Sequence, residues 1–174
     1  MLNDNELIAK FQDGDEKAFD QLVQNNVNNV FGFFMKVTRN EMTAEDLAQD
    51  VFMKLYKNLK NFRHDSNFST YLYRINTNTV NSWITRNKWK NLLHLDQAPD
   101  RGEYDQVNEV EWERKELWAS ISKLPKKQRE VVILRLTNEL SFREVSNITG
   151  MKEGTAKVNF HHALKKLKED LINE

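Results

Sequence analysis

The chain of 174 residues contains no cysteine. That excludes disulfides, thiolate metal ligands and cysteine nucleophiles together. Proline occurs twice, at Pro99 and Pro125, and glycine five times, so no glycine-rich phosphate cradle can be built. No apolar run approaches the roughly 18 residues that mark a membrane span. The N-terminus lacks the charged-then-apolar pattern of a secretory signal, and a cytoplasmic protein without membrane insertion is expected. There is no Ser/His/acid grouping and no metal-ligand spacing, so no enzyme activity, cofactor or metal is expected. What is present suits a folded domain: 39% hydrophobic residues, with ten Phe, four Trp and four Tyr to fill a modest core.

Net charge is also missing, since 26 basic residues balance 26 acidic ones. The balance conceals blocks. Residues 1–60 carry 7 Lys/Arg and 10 Asp/Glu, 61–95 carry 5 and 1, 96–117 carry 3 and 8, and 118–174 carry 11 and 7. Two basic segments are therefore masked by an acidic tract between them. Polynucleotide binding depends on local phosphate neutralisation, so the blocks matter more than the sum.

Apolar spacing is helical throughout, with no sustained period of two. It predicts an all-α protein with helices near 3–12, 16–38, 43–61, 68–90, 108–123, 126–138, 141–148 and 153–172, with breaks near Gly14, Asn40 and Gly150. The stretch Leu95–Glu111 holds Pro, Gly and six acids and reads as a linker. Domains are expected at 1–95 and 112–174, joined by 96–111.

In the C-terminal unit, LSFREVSNITGMKEGTAKVNF reads as a short helix, a turn at Gly150 and a longer second helix. This is the grammar of a helix-turn-helix. At about 100° per residue, Ala156, Ala163, Leu164, Leu167 and Leu171 fall on one continuous apolar face with Phe160. The opposite face carries Thr155, Val158, Asn159, His162, Lys165 and Lys166, and no acid lies between Thr155 and Lys168. An Asn can bond adenine bidentately and a Val methyl can meet a thymine methyl, while the lysines meet phosphates. A lysine-rich solvated face is the alternative reading. The adjacent His161 and His162 point about 100° apart and cannot chelate one ion, which needs a spacing of three or four.

In the N-terminal unit, TAEDLAQDVFMKLYKNL has Thr43 placed to cap a helix and Asp46 in the position of a capping box. Ala44, Ala48, Val51, Phe52, Leu55, Tyr56 and Leu59 form its expected core side. Asp46, Asp50, Met53 and Lys54 face away, with Leu47 outward beside them and Gln49 at the margin. Acids beside an exposed Leu and Met suggest a docking stripe for a partner of complementary charge, against the alternative of an ordinary solvated face. Between Asp65 and Asp96 there is no acid, while Arg74, Arg86, Lys88 and Lys90 interleave with Phe68, Tyr71, Tyr73, Trp83 and Trp89. Cations among flat rings suit unpaired bases, with two or three of the aromatics expected on the surface and the rest in the core.

The stretches GDEKAFDQLV, AEDLAQDVFMKLY, FRHDSNFSTYLYRI, LPKKQREVVILRL and LSFREVSNITGMKEGTAK stand in the order and spacing of one family. The chain resembles a bacterial sigma factor of the extracytoplasmic-function group, the minimal kind with two conserved domains, and the likeness covers nearly the whole chain. The resemblance implies an N-terminal domain that binds core RNA polymerase through Asp46, Leu47, Gln49, Asp50 and Met53. It implies capture of the single-stranded minus-10 element by the loop Arg63, His64, Asp65, Ser66 and Asn67, with Asn78 in the matching RIxxN position and Arg74, Arg86 and Lys88 on the backbone. It also implies reading of the duplex minus-35 element by the C-terminal motif, through Arg143, Thr155, Lys157, Val158, Asn159, His162, Lys165 and Lys166. The linker would thread toward the RNA exit path, and an anti-sigma factor would be a further partner. Many relatives read SEGTVKSRLHRAR where this chain has KEGTAKVNFHHAL, so Lys152 replaces a capping Ser, Asn159 and His162 replace two Arg, and Ala156 beside Phe160 replaces a Val. Promoter binding is accordingly expected to lean more on groove contacts than on phosphates. The alternative functions are a stand-alone helix-turn-helix regulator, which leaves the docking stripe and the aromatic basic segment unexplained, and a partner-sequestered adaptor, which differs only by lacking promoter activity.

Overall fold

Residues 2–63, 66–92 and 109–172 are described by a computed structural model, with side chains described at 2–63, 66–87 and 116–172. Among these residues the secondary structure is helical: α1 (Asp4–Gln12), α2 (Glu16–Thr38), α3 (Glu41–Leu59), α4 (Phe68–Leu92), α5 (Glu109–Lys123), α6 (Lys126–Asn138), α7 (Phe142–Thr149) and α8 (Glu153–Ile172). The expected linker falls largely outside them.

The breaks between helices follow from local chemistry. Asn3 and Glu6 form a reciprocal capping box that opens α1. Asp15 caps α2, accepting from the Lys17 backbone N–H. At the other end of α2, Arg39 takes a left-handed conformation (φ 53°), which reverses the chain into α3. The cap of α3 is Asn40, whose side chain accepts from the Thr43 backbone N–H at 2.8 Å. This corrects the expectation that Thr43 caps the helix. Asn40 is one turn earlier and has the extended backbone that a cap requires (φ −128°, ψ 118°), so the helix nucleates there and Thr43 lies within its first turn.

α1, α2 and α3 bury Leu7, Ile8, Phe11, Leu22, Val30, Phe33, Phe34, Val51 and Leu55 in a common core, and α4 packs across α3. Truncating any one of these large side chains to Ala costs about 2–5 kcal/mol. Since α3 lies between α2 and α4, it has two buried faces rather than one. Leu47 is 3% exposed for that reason. The expected outward Leu47 is thus a core residue, and a single-stripe reading of the helix had no means of placing it inside.

In the C-terminal half, α7 and α8 make the helix-turn-helix over a small cluster of Val131, Leu134, Val145, Ile148 and Ala156. Ser141 and Glu144 form a capping box at the start of α7. Gly150 ends α7 with φ 73°, where a residue with a Cβ is strained. The apolar face of α8 is narrower than expected: Ala156, Ala163 and Leu167 are buried and Phe160 half-buried, while Leu164 and Leu171 are exposed. They sit at the edges of the stripe, beyond the reach of α5, α6 and α7.

The two halves pack against each other. α2 and α4 touch α6, and α4 also touches α7. Ile121, Leu124, Val132, Ile133, Ala163 and Leu167 join the N-terminal residues in one apolar cluster.

Candidate functional site

Three surfaces gather the residues singled out by sequence. The first is α3. Asp46 and Gln49 are exposed, Asp50 is half-buried, and Met53 is 59% exposed. With Thr43, Leu47, Trp83, Arg86 and Asn87 they line a polar hollow between α3 and α4. Within it the Asp50 carboxylate lies 4.0 Å from the Arg86 guanidinium, both side chains being well hydrated. A pair of this kind is worth about 0–1 kcal/mol and is easily exchanged for another partner. Two residues expected to serve different functions, docking and DNA, are here each other's counter-ion.

On the opposite flank of α3 lies an open groove of about 970 Å³. Phe19, Val23, Val27 and Phe31 of α2 face Phe52, Met53 and Tyr56 of α3 across it, with Glu41 and Glu45 at one end and Lys57 at the other. Tyr56 forms part of its rim. Its ring packs edge-on to Phe19 at 5.1 Å, and its hydroxyl donates to Glu16 at 2.9 Å. That hydrogen bond, followed by the Glu16 charge and some desolvation, raises the phenol above its ordinary pKa. Sequence reasoning placed Phe52 and Tyr56 on the core side and missed this groove. The only sequence signal was Val27, an apolar residue among the polar Gln24, Asn25, Asn28 and Asn29.

The second surface is α4 with the loop before it. Arg63 and Asn67 are exposed and Ser66 half-buried; His64 and Asp65 lie outside the described residues, as do the side chains of Lys88, Trp89 and Lys90. Asn67 accepts from the Ser69 backbone N–H at 3.3 Å and so shapes the entry to α4. Asn78 and Arg86 are exposed. Arg74 is engaged: its Nε donates to the Ile148 carbonyl at 2.7 Å and its Nη2 to the Asn147 carbonyl at 2.6 Å. The aromatics are more packed than expected. Phe68 is buried, Tyr71 lies 4.9 Å from Phe62 ring to ring, and Tyr73 and Trp83 are half-buried. None of the described ones stands free, because α4 is covered by α3 on one side and by α6 and α7 on the other.

The third surface is α8 with the start of α7. Arg143, Thr155, Lys157, Val158, His162, Lys165 and Lys166 are exposed, Val158 at 54%, and Asn159 is half-buried. The Asn159 amide donates to the Thr155 carbonyl at 2.9 Å and rests 3.8 Å from the Met151 sulfur, which leaves its oxygen outward. Although no acid interrupts this face, flanking acids reach into it. Glu153 holds Lys157 at 2.8 Å, and Glu169 lies 3.9 Å from Lys165. The hydrogen bond and charge of Lys157 keep the Glu153 carboxyl below its usual range. Lys166, next to Lys165, is exposed. His161 and His162 are both exposed with ring centres 6.2 Å apart. A protruding Val beside an Asn and a Lys row, on the second helix of a helix-turn-helix, has the chemistry of a duplex-reading face.

The class defined by this arrangement is an all-helical protein with the helix-turn-helix of the DNA-binding proteins. Comparison with known proteins is more specific. Residues 22–90 match the family model for sigma-70 region 2, and residues 114–167 match that for sigma-70 region 4. The chain is 30% identical to the ECF RNA polymerase sigma-E factor of Haemophilus influenzae, covering 93% of this chain and 92% of that one. It is 29% identical to the ECF RNA polymerase sigma factor SigW of Bacillus subtilis over 94% of each. The fold matches the solved structure of CnrH in complex with the cytosolic domain of CnrY, with a TM-score of 0.64 and 22% identity over 98% of both chains. It also matches the sigma factor RpoE bound to the anti-sigma factor NepR from Bartonella quintana, with a TM-score of 0.56 and 23% identity over 89% of this chain and 97% of that one. The chain belongs to the sigma-70 family of RNA polymerase sigma factors, within its extracytoplasmic-function group.

Proposed function

We propose that this protein acts as an alternative sigma factor that carries core RNA polymerase to its promoters, without catalysis of its own and in the cytoplasm. Among the described residues no helix is long and apolar enough to cross a membrane. The division of labour follows three segments: 1–95 dock on polymerase and capture the minus-10 strand, 96–111 connect, and 112–174 read the minus-35 duplex.

Docking rests on α3. Asp46, Gln49, Asp50 and Met53 supply its exposed ridge, and the apolar groove lined by Phe31, Phe52, Met53 and Tyr56 extends it. Leu47 supports that ridge from below. Such a surface, apolar along its floor and acidic at one end, suits a helical partner with a basic terminus. In the minus-10 role, Arg63, Ser66 and Asn67 border the loop, with Asn78 and Arg86 on the following helix. Unstacking a base costs a few kcal/mol, which contacts in that loop must recover. In the minus-35 role, Val158 and Asn159 meet base edges while Lys165 and Lys166 meet phosphates. The observation that carries the proposal is the pairing, in one small chain, of a protruding Val158–Asn159 reading face with an unrelated exposed groove beside α3. An anti-sigma partner is proposed as well, since the sigma factor RpoE is bound to the anti-sigma factor NepR in its structure and CnrH is bound to the cytosolic domain of CnrY in its own.

Copurification with core polymerase and promoter-dependent transcription from purified components test the proposal. Loss of both would overturn it, whereas duplex binding without polymerase binding would favour a stand-alone regulator.

A further inference from the structure

The segment that leaves α3 is tied to a helix far from it in sequence. Gln12, the last residue of α1, is half-buried and donates through its side-chain amide to the Leu59 carbonyl and to the Phe62 carbonyl, each at 2.9 Å, across separations of 47 and 50 residues. A Gln amide has two N–H donors, and both are used here. Leu59 ends α3, and its carbonyl also accepts the Phe62 backbone N–H at 3.0 Å. The Asn61 N–H bonds to the Asn58 carbonyl at 3.1 Å in the same way, so the last turn of α3 closes with bonds three residues apart. One side chain therefore joins the end of α3 to the peptide that precedes Arg63.

Neither end of this tie is loose. The Asn3–Glu6 capping box opens α1, and Leu7, Ile8 and Phe11 are buried, which fixes where Gln12 stands. Phe62 is half-buried with its ring 4.9 Å from that of Tyr71 in α4, and the Lys60 ammonium lies 5.6 Å from the Phe11 ring. Where α4 begins, Phe68 is buried and Asn67 accepts from the Ser69 backbone N–H. Arg63 is exposed. The peptide before it is held while its side chain is presented to solvent. The matched sigma-70 region 2 begins at residue 22, beyond α1, so Gln12 reaches this turn from outside the matched segment.

We propose that Gln12 is a positioning residue for base capture: it fixes the exit of α3 so that the exposed Arg63 and Asn67 are presented to the minus-10 strand in one register, without touching DNA itself. A contacting group that stands about 1 Å out of place loses much of its effect, so selectivity depends on the residues that hold it. The base-capture role rests on the sigma-factor reading; the tie between α1 and the turn does not.

Gln12→Glu keeps the shape of the side chain but sets a carboxylate against two carbonyls, and Gln12→Met removes both donors without adding charge. Each full-length variant, checked for its fold by thermal melts, is assembled with core polymerase and made to transcribe a pool of templates randomised in the minus-10 and minus-35 elements, and the transcribed templates are sequenced. Base preference in the minus-10 element should fall about tenfold, the net contribution of two ordinary hydrogen bonds, with the minus-35 preference retained. If Gln12→Glu does not fold, Gln12→Met decides. Ile8→Val loosens α1 without touching the turn, and it should lower Tm while both preferences stay as in the parent. Equal loss at the two elements, an unchanged minus-10 preference in folded Gln12 variants, or the same loss in Ile8→Val overturns the proposal. If the parent chain directs no promoter-dependent transcription, the sigma-factor reading fails and the base-capture role with it. Hydrogen exchange of the free chain then still decides the tie: the Phe62 and Arg63 amides should exchange faster in both Gln12 variants with α6 unchanged, and unaltered exchange at those amides overturns it.

Discussion

Replacing Asp50 by Lys separates docking from folding, and the structure sets the size of each effect. Asp50 is half-buried and its ion pair with Arg86 is a hydrated contact at 4.0 Å. Losing it costs about 0–1 kcal/mol, and placing a Lys against Arg86 costs a similar amount again. For a chain of this length that is a fall in Tm of only a few degrees, at about 2–4 °C per kcal/mol. If the Asp50 carboxylate meets a cation of core polymerase, reversing its charge leaves that cation unpaired and costs about 2–5 kcal/mol of binding. The affinity then drops by roughly thirtyfold to several thousandfold. Leu47→Ala is the contrasting case. At 3% exposure Leu47 is core, so truncation costs about 2–5 kcal/mol of stability and lowers Tm by on the order of 10 °C, while the folded fraction keeps its affinity. Thermal melts by circular dichroism and titration of labelled protein with core polymerase measure both quantities. Near-normal binding by folded Asp50→Lys protein would refute the docking assignment. Loss of binding by Leu47→Ala without loss of stability would refute the burial argument.

Asn159→Ala should weaken promoter binding at one base position by about 1–3 kcal/mol; uniform weakening across a set of single-base promoter variants would mean that Asn159 touches the backbone instead. Gly150→Ala should destabilise the protein by about 1–2 kcal/mol, because the left-handed conformation strains any L side chain although nothing crowds the new Cβ; urea unfolding checks this, and an unchanged midpoint would contradict it. Burial raises the Glu130 carboxyl pKa against the opposing pull of Lys126 and Arg129. A carboxyl raised on folding lends stability below its unfolded pKa and loses it as pH climbs through the folded value. Glu130→Gln, which can still accept from Asn81, should therefore raise Tm relative to the parent near neutrality and match it in acid; a larger loss near neutrality than in acid would show that Glu130 is stabilised by its cations instead. Glu144 runs the other way. The Ser141 hydroxyl and backbone N–H lower its pKa, so its capping contribution is present above the unfolded value and lost on acidification, and Ser141→Ala should flatten the acid limb of a Tm–pH profile.

Much of this protein is a consequence of local sequence. The breaks at Asn40, Gly14 and Gly150, the capping box of Ser141 and Glu144, and the alternation of Ala156, Ala163 and Leu167 with Val158 and Lys165 all act within a few residues. Helix bounds, the helix-turn-helix and its outward row could thus be read directly, as could the two basic blocks. What tertiary packing decided is where a helix meets more than one neighbour. Leu47 and Tyr56 exchanged their expected places because α3 is covered by α2 on one side and α4 on another, and a period of 3.6 residues names a face without saying how many partners it has. The groove beside α3 exists because α2 and α3 leave Phe31, Phe52 and Met53 apart along their length, a property of two helix surfaces together. The hydrogen bond from Arg74 to the Asn147 carbonyl joins residues 73 positions apart. Contacts at that separation leave no periodic trace in either segment, so only the folded chain brings the carbonyls of α7 to the guanidinium of α4.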